Sequence, residues 1–390
     1  MDINGLPVVG NCRTDSPRPP SSAPFNMYRF TYGRDREKAY VDYQADPLIY
    51  DSGKKLTVAY RRNENDPDAL ENWLLNCKNR RSKNVTILEN LRQILPRVSH
   101  FYPTVTCIDL ETVHGNLSPI ITEDVEEIIH YSPIPTHLSH IPTIPITYLQ
   151  KITGLSMDVD RVKWQAETWA FKLTGANLEG TLRELSILDQ LSNSPYIIKL
   201  KAIVTNQDNT IRGFLTPFMP HGDLADVFDV ERTNQGLTDD CDTMAFDWSL
   251  KLSWACQITR GVVDLHALSA YNGDLKPRNV LLNAAGQAVL VDFCPMGCTD
   301  DFAAPEILAG LDNPETAFES LLTAAADVYS LGLLLYAVAE EKSRIVWPLV
   351  WRDGKTPDWY RDAVHRCLAE ESRDRPSAAD LFHSLGGERS

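Results

Sequence analysis

The sequence predicts an α+β chain. A small β-rich or mixed domain comes first, a proline-rich stretch follows, and a larger strand-then-helix domain fills the remainder. Three observations support this order. Tyr28–Tyr32, Ala39–Tyr43, Leu48–Tyr50 and Leu56–Tyr60 have the aromatic and β-branched composition of strands. Pro133, Pro135, Pro142 and Pro145 fall within fourteen positions, a density that no helix accommodates. Beyond them, Leu182, Leu185, Leu188 and Leu191 recur at helical spacing, and Val280–Leu282 and Ala288–Val291 flank the turn Ala284-Ala285-Gly286 as the strands of one hairpin.

Residues 1–25 read as a disordered leader, because residues 13–25 are mostly Pro, Ser, Arg and Thr. Residues 26–130 form the N-terminal domain, whose role the sequence does not indicate. Asp66 is placed to cap a helix running to about Asn79, with Pro67 at its first position, and a second helix is expected over Val85–Leu95. Lys78, Arg80, Arg81 and Lys83 form a basic cluster that reads as a solvated helix end. Residues 131–145 are a Pro-rich linker or extended strap. Ile134, Leu138, Ile141 and Ile144 make it apolar, so it is expected to lie on a protein surface. Residues 146–388 form the larger domain.

Composition is that of an ordinary soluble protein, with a net charge of −15 distributed unevenly. Residues 1–149 hold 16 basic and 18 acidic residues, whereas the remainder holds 22 and 35. Such an acidic second half excludes a basic nucleic-acid footprint. Eight cysteines are scattered without a C-x-x-C pair or a metal-ligand spacing, which suits a reducing compartment. The first residues lack a basic-then-apolar targeting pattern, and the longest apolar run, Leu331–Ala339, is too short to span a bilayer. An intracellular protein without a membrane anchor is expected.

The chemistry concentrates in Asp274-Leu-Lys-Pro-Arg-Asn-Val-Leu-Leu282 and in Val291-Asp292-Phe293. Thirteen positions separate Asn279 from Asp292, the span of one short hairpin, which sets an amide oxygen and a carboxylate at strand ends on one side. These segments resemble the catalytic and metal loops of protein kinases. Other segments match in register: Trp169-Ala-Phe-Lys172 like the family's Val-Ala-Ile-Lys strand, Ala304-Pro-Glu306, Asp327-Val-Tyr-Ser-Leu-Gly332 and Arg375-Pro-Ser377. The similarity covers about residues 146–388 and implies a bilobal fold, with a β-rich N-lobe and a helical C-lobe.

That resemblance implies the following roles. Asp274 orients the acceptor hydroxyl and Lys276 neutralises the moving phosphoryl group. Asn279 and Asp292 hold Mg2+. Lys172 binds the ATP phosphates, paired with Glu184. Ala170 and either Val159 or Val162 cover adenine, Leu281 lies beneath it, Thr216 lines the back of the pocket, and the Pro217 carbonyl and Met219 backbone hydrogen-bond the base. Thr299 bridges Asp274 and Lys276, and Arg375 pairs with Glu306. The implied cofactors are ATP and Mg2+, and the implied partner is a protein substrate phosphorylated on serine or threonine, since Lys276 resembles that branch.

Several positions depart from the family pattern. Gly154 is the single glycine where the family has three before the lysine strand, and Asp158 and Asp160 would repel phosphates if they pointed inward. Asn272-Gly273 replaces His-Arg, and Cys294 replaces the glycine of Asp-Phe-Gly. Only fifteen residues run from Asp292 to Glu306 inclusive, which leaves little room for a regulatory phosphosite. The pattern is similar to divergent protein-kinase-like proteins of the fungal type. A pseudokinase acting as a nucleotide-binding or scaffold module is the alternative reading. A small-molecule kinase shares the Gly-Asp-Leu loop but lacks the Ala-Pro-Glu and Arg375 elements.

Overall fold

The computed structural model describes residues 25–31, 35–44, 53–98, 101–102, 105–156, 158–175, 177–237, 243–293, 297–311 and 316–386. The expected leader up to residue 24, the expected strand Leu48–Tyr50, and Cys294 lie outside these residues. Two compact units result, one of Pro17–Leu178 with Ala202–Leu215 and one that holds Glu179–Lys201 with Thr216–Ser390.

The first unit contains two sheets, each with its own apolar core. Its leading part comprises β1 (Phe25–Thr31), β2 (Arg36–Gln44), β3 (Gly53–Arg61), α1 (Leu70–Asn76), α2 (Arg80–Ile94), β4 (Val105–Leu110), the small hairpin β5 (Thr112–Val113) and β6 (Asn116–Leu117), and β7 (Ile120–Glu123). The sheet order is β1-β2-β3-β4-β7. Period-two alternation sends Ala39, Val41, Leu56, Val58, Tyr60 and Ile108 to one face, where they meet Leu74 of α1 and Ile87 and Leu91 of α2.

Two helix starts differ from expectation. α1 begins at Leu70, beyond Pro67, because Asp66 is used in a local turn: its carboxylate accepts from Asp68 N–H (3.1 Å) and its carbonyl from Ala69 N–H (3.1 Å). α2 begins at Arg80, earlier than Val85, because Asn79 caps it by accepting from Ser82 N–H (3.1 Å). Lys83 is therefore inside α2. It is buried, not solvated, and pairs at 2.6 Å with Glu37, whose carboxylate also accepts from Tyr60 Oη at 2.6 Å.

The second sheet is built from β8 (Thr143–Pro145), β9 (Gln150–Gly154), β10 (Val159–Trp164), β11 (Glu167–Leu173), β12 (Ala202–Thr205) and β13 (Ile211–Pro217), in the order β8-β12-β13-β11-β10-β9. The proline-rich stretch is thus woven into this sheet. β8 pairs in parallel with β12, Ser132 O accepts from Ile211 N–H (2.7 Å), and Arg212 lies 4.9 Å over the Tyr131 ring. Ile144 from that stretch and Ile146 just after it complete one face's core with Leu149, Val162, Phe171, Ala202, Val204 and Leu215.

Gly213 on β13 lets that strand lie close to its neighbour in the sheet, β11, which carries Lys172. Its φ is +154°, and a Cβ there would sit 2.1 Å from Lys172 O and 2.7 Å from the Phe171 ring. Backbone cannot yield as a flexible side chain does. Gly213→Ala is expected to cost about 2–4 kcal/mol, read as a shift of the urea midpoint with unchanged slope.

The second unit is helical, with one hairpin. It comprises α3 (Leu178–Gln190), α4 (Leu224–Asn234), α5 (Trp248–Ala267), β14 (Val280–Leu282), β15 (Ala288–Leu290), α6 (Pro305–Leu311), α7 (Phe318–Leu321), α8 (Ala324–Glu340), α9 (Asp358–Cys367) and α10 (Ala378–Ser384). The apolar run Leu331–Ala339 lies in α8 and is buried within the unit. Among the described residues, no helix is long and apolar enough to cross a membrane.

Candidate active site

The site in the helical unit is assembled from α8 outward. Asp327, 1% exposed in the first turn of α8, accepts from Asn272 N–H (2.8 Å), Gly273 N–H (2.8 Å) and His266 Nε2 (3.0 Å). Those bonds fix the loop that follows α5. Gly273 takes φ +79°, a conformation that a side chain disfavours. The next residue, Asp274, is held at both oxygens: Oδ1 accepts from Thr299 N–H (2.9 Å) and Oδ2 from Lys276 Nζ (2.5 Å). Lys276 also donates to Thr299 Oγ1 at 2.7 Å, so the expected bridge from Thr299 to both residues is present.

The hairpin brings Asn279 and Asp292 to one end. Val280 pairs with Leu290, Leu281 with Val289 and Leu282 with Ala288, and Val291 N–H donates to Asn279 O at 3.1 Å. Asn279 Nδ2 donates to Asp274 O (2.9 Å), which turns its amide oxygen away from that bond and makes it the atom available to a cation. Asn279 and Asp292 together offer hard oxygen donors, and one or two protein oxygens completed by substrate phosphates is the usual arrangement for Mg2+. Among the described residues, no group of three His, Cys, Asp or Glu forms an all-protein metal cage. The Asn279 and Asp292 oxygens suit a hard cation such as Mg2+.

Glu184 of α3 is 2% exposed and accepts from Phe293 N–H at 3.3 Å, and Phe293 itself is fully buried. Glu184 belongs to the buried face of α3, with Thr181, Leu185 and Leu188.

Thr216 and Pro217 end β13, and the Met219 carbonyl accepts from Gly222 N–H (3.2 Å) in the turn that follows. This turn is pinned to the strand of Leu281. Leu282 N–H donates to Gly222 O (3.0 Å), and Asp223 bridges Leu281. Asp223 caps α4 by accepting from Asp226 N–H (2.9 Å), with Arg278 at 3.6 Å from its other oxygen. Burial lifts its carboxyl to about 6 against these stabilising contacts. A folded value above the unfolded 3.8 means that the native state binds the extra proton between about pH 4 and 6. Stability from this group therefore falls as pH rises through that window. Asp223→Asn, which keeps the cap acceptor, is expected to stabilise the protein by about 2 kcal/mol at pH 8 and by much less near pH 4, measured by urea unfolding.

The strand-rich unit holds Ala170, Lys172 and Val162, and here one assignment changes. The register of β10 with β11 sets Val159 opposite Lys172, Arg161 opposite Ala170 and Asp160 opposite Phe171. Directly opposed residues share a face. Val159 thus lies with Ala170 and Lys172, whereas Val162 lies on the reverse face, fully buried in the core with Phe171. Val162 cannot cover a base bound beside Lys172. Asp160 also takes the reverse face, where it pairs with Lys151 at 2.7 Å, and the Asp158 carboxylate accepts from Ser156 Oγ (2.9 Å). In the loop between β9 and β10, Leu155 N–H and Ser156 N–H both donate to Val159 O (2.8 and 3.0 Å).

Glu306 and Arg375 form a two-point pair, Oε1 to Nη1 at 2.6 Å and Oε2 to Nη2 at 2.9 Å. Burial, the largest single influence, would raise the Glu306 carboxyl, but the Arg375 hydrogen bonds, a backbone hydrogen bond and the Arg375 charge together outweigh it and hold the pKa below the usual range. Sequence reasoning missed Arg183, Asp223 and the bonding of Asn272. The Gly222-Asp223-Leu224 pattern carried a helix-cap signal for Asp223. Arg183 gave no local signal, since its partner lies 88 positions away.

Residues 163–385 of the chain match the protein kinase domain family. Among curated proteins, the chain is similar to the serine/threonine-protein kinase dst4 of Dictyostelium discoideum, with 23% identity over 240 residues, covering 54% of this chain and 46% of that protein. It spans about half the length of that relative.

Proposed function

The chain belongs to the protein kinase family, and we propose that it transfers the γ-phosphoryl group of ATP to a serine or threonine hydroxyl of a protein substrate. The observation that carries this reading is the Asp274 carboxylate, held from both oxygens by Lys276 and Thr299 and joined through its carbonyl to Asn279. A carboxylate fixed in this way can orient an acceptor hydroxyl and take its proton. Lys276, already beside it, supplies positive charge where negative charge develops on the transferred group.

Asn279 and Asp292 are the residues that would hold Mg2+, which when bound neutralises phosphate charge. Lys172 contributes a second cation for the α- and β-phosphates. Within the strand-rich unit, Val159 and Ala170 are the residues that would meet the base; within the helical unit, Leu281, Thr216, Pro217 and Met219 are. Glu184 braces the segment of Asp292 from α3. Phosphoryl transfer asks little covalent help of the protein, so this set of orienting and charge-stabilising groups is sufficient in kind.

One observation favours the second reading, a nucleotide-binding scaffold with little turnover. Leu155 and Ser156 commit their amides to Val159 O, so fewer loop amides remain for phosphates. Within the catalytic reading, this predicts a raised KM for ATP more than a lowered kcat.

Thermal shift tests nucleotide use. MgATP at millimolar concentration is expected to raise Tm, because it binds only the folded chain. Asp292→Asn is expected to remove the magnesium-dependent part of that rise. No shift in the wild type would contradict both readings.

A further inference from the structure

Asp292 is a non-glycine residue at φ +64°, a left-handed conformation that costs free energy and persists only where its surroundings enforce it. The enforcement is visible on both sides of the peptide unit that follows it. Its carbonyl, Asp292 O, accepts from Asn272 Nδ2 at 3.0 Å, and its amide, Phe293 N–H, donates to Glu184 Oε1 at 3.3 Å. A flip of this peptide would exchange the two groups and break both bonds, freeing the segment that carries Asp292.

The two holding residues are themselves tied together. Arg183, beside Glu184 on α3, donates through Nη2 to Tyr271 O at 3.2 Å, and Tyr271 directly precedes Asn272. The hydrogen bonds thus close a ring through three segments: α3, the loop before Asp274, and the Asp292-Phe293 peptide. Asn272 is fully buried, and its side-chain oxygen accepts from Asp274 N–H at 3.0 Å. One side-chain amide therefore spans the residue proposed as base and the residue proposed as metal ligand.

We infer that Arg183 and Asn272 are positioning residues: they latch α3, the catalytic loop and the Asp292 peptide into the metal-binding arrangement through bonds internal to the chain, with no covalent modification required. Arg183 donates to a backbone carbonyl here, so the guanidinium on this helix serves the latch. Gly273 carries no side chain that could grip a phosphate. The metal-binding half of this inference rests on the proposed phosphotransferase reading; the latch itself does not.

Arg183 is the better test position, since it is only partly buried. Arg183→Met keeps the stem and removes the donors, and Arg183→Lys restores one. In full-length protein without nucleotide, amide exchange at residues 291–293 is expected to accelerate about tenfold in Arg183→Met and to stay near wild type in Arg183→Lys. Mn2+ serves as the metal probe. The apparent Kd for Mn2+ with ATP is expected to rise about tenfold in Arg183→Met, the range of an outer-shell loss, with metal-free ATP binding changed less than about twofold. Asn272→Asp, which removes the donor to Asp292 O and keeps an acceptor for Asp274 N–H, is expected to act in the same direction.

Unchanged exchange and unchanged Mn2+ dependence in Arg183→Met would overturn the inference. So would an equal loss of metal-bound and metal-free ATP binding, which marks a merely structural effect, or a failure of Arg183→Lys to recover either readout. If the wild type binds no Mn2+ with ATP, the phosphotransferase reading has failed, and the exchange measurement alone decides the latch: lost protection in Arg183→Met supports it and retained protection refutes it.

Discussion

Asp327→Asn is expected to destabilise the protein by about 3–5 kcal/mol, the largest stability effect of any single change proposed here. Three donors converge on this carboxylate, which is 1% exposed: two backbone amides and the His266 ring. An amide side chain keeps one acceptor and turns an NH2 group toward an N–H, so a buried donor loses its partner and meets a repulsive neighbour. The loop from Asn272 to Asp274 hangs from these bonds. Residual folded protein is therefore expected to lose Asp274-dependent activity as well. Urea unfolding followed by tryptophan fluorescence measures the first effect. A loss below about 1 kcal/mol would show that the loop is held by other contacts.

Asp274→Ala carries the largest expected effect on rate. It removes the group that orients the hydroxyl and takes its proton, and general-base losses of this kind span about 100- to 10,000-fold in kcat. ATP affinity is expected to change less than about threefold, because Asp274 acts on the acceptor and not on the nucleotide. Lys172→Ala, by contrast, is expected to damage both kcat and KM for ATP. The two variants together separate chemistry from binding. If Asp274→Ala keeps full activity, that activity does not belong to this site.

Much of the site could be read from the sequence because its geometry is local. Val280–Leu282 and Ala288–Leu290 alternate around a glycine turn, so the placement of Asn279 and Asp292 at one end follows from strand pairing alone. The bridge from Thr299 to Asp274 and Lys276, which the family resemblance implied, is present although its ends lie 25 and 23 positions apart. The helical reading of Leu182–Leu191 likewise needed only a three-residue recurrence, and α3 covers nearly all of it.

What was not legible depends on register and distant pairing. Val162 and Val159 differ in face, and a strand's faces exchange with a one-residue shift. A bulge between Arg161 and Val162 in the pairing with β9 obscures the parity further. The proline-rich stretch joins β12 across about sixty positions, and no local pattern announces that partner. Lys83 looked solvated because its carboxylate partner, Glu37, lies 46 residues away. Asp66 has the residue type of a helix cap, but a local turn takes its hydrogen-bonding groups first.

Transfer of radiolabel from γ-labelled ATP to a basic acceptor protein, followed by phosphoamino-acid analysis, tests the central claim most directly. With saturating MgATP, the wild type is expected to give slow, magnesium-dependent label on serine or threonine, and Asp274→Ala is expected to give none above background. Tight MgATP binding by the wild type with no label on any hydroxyl would contradict the account and leave the chain a nucleotide-binding scaffold.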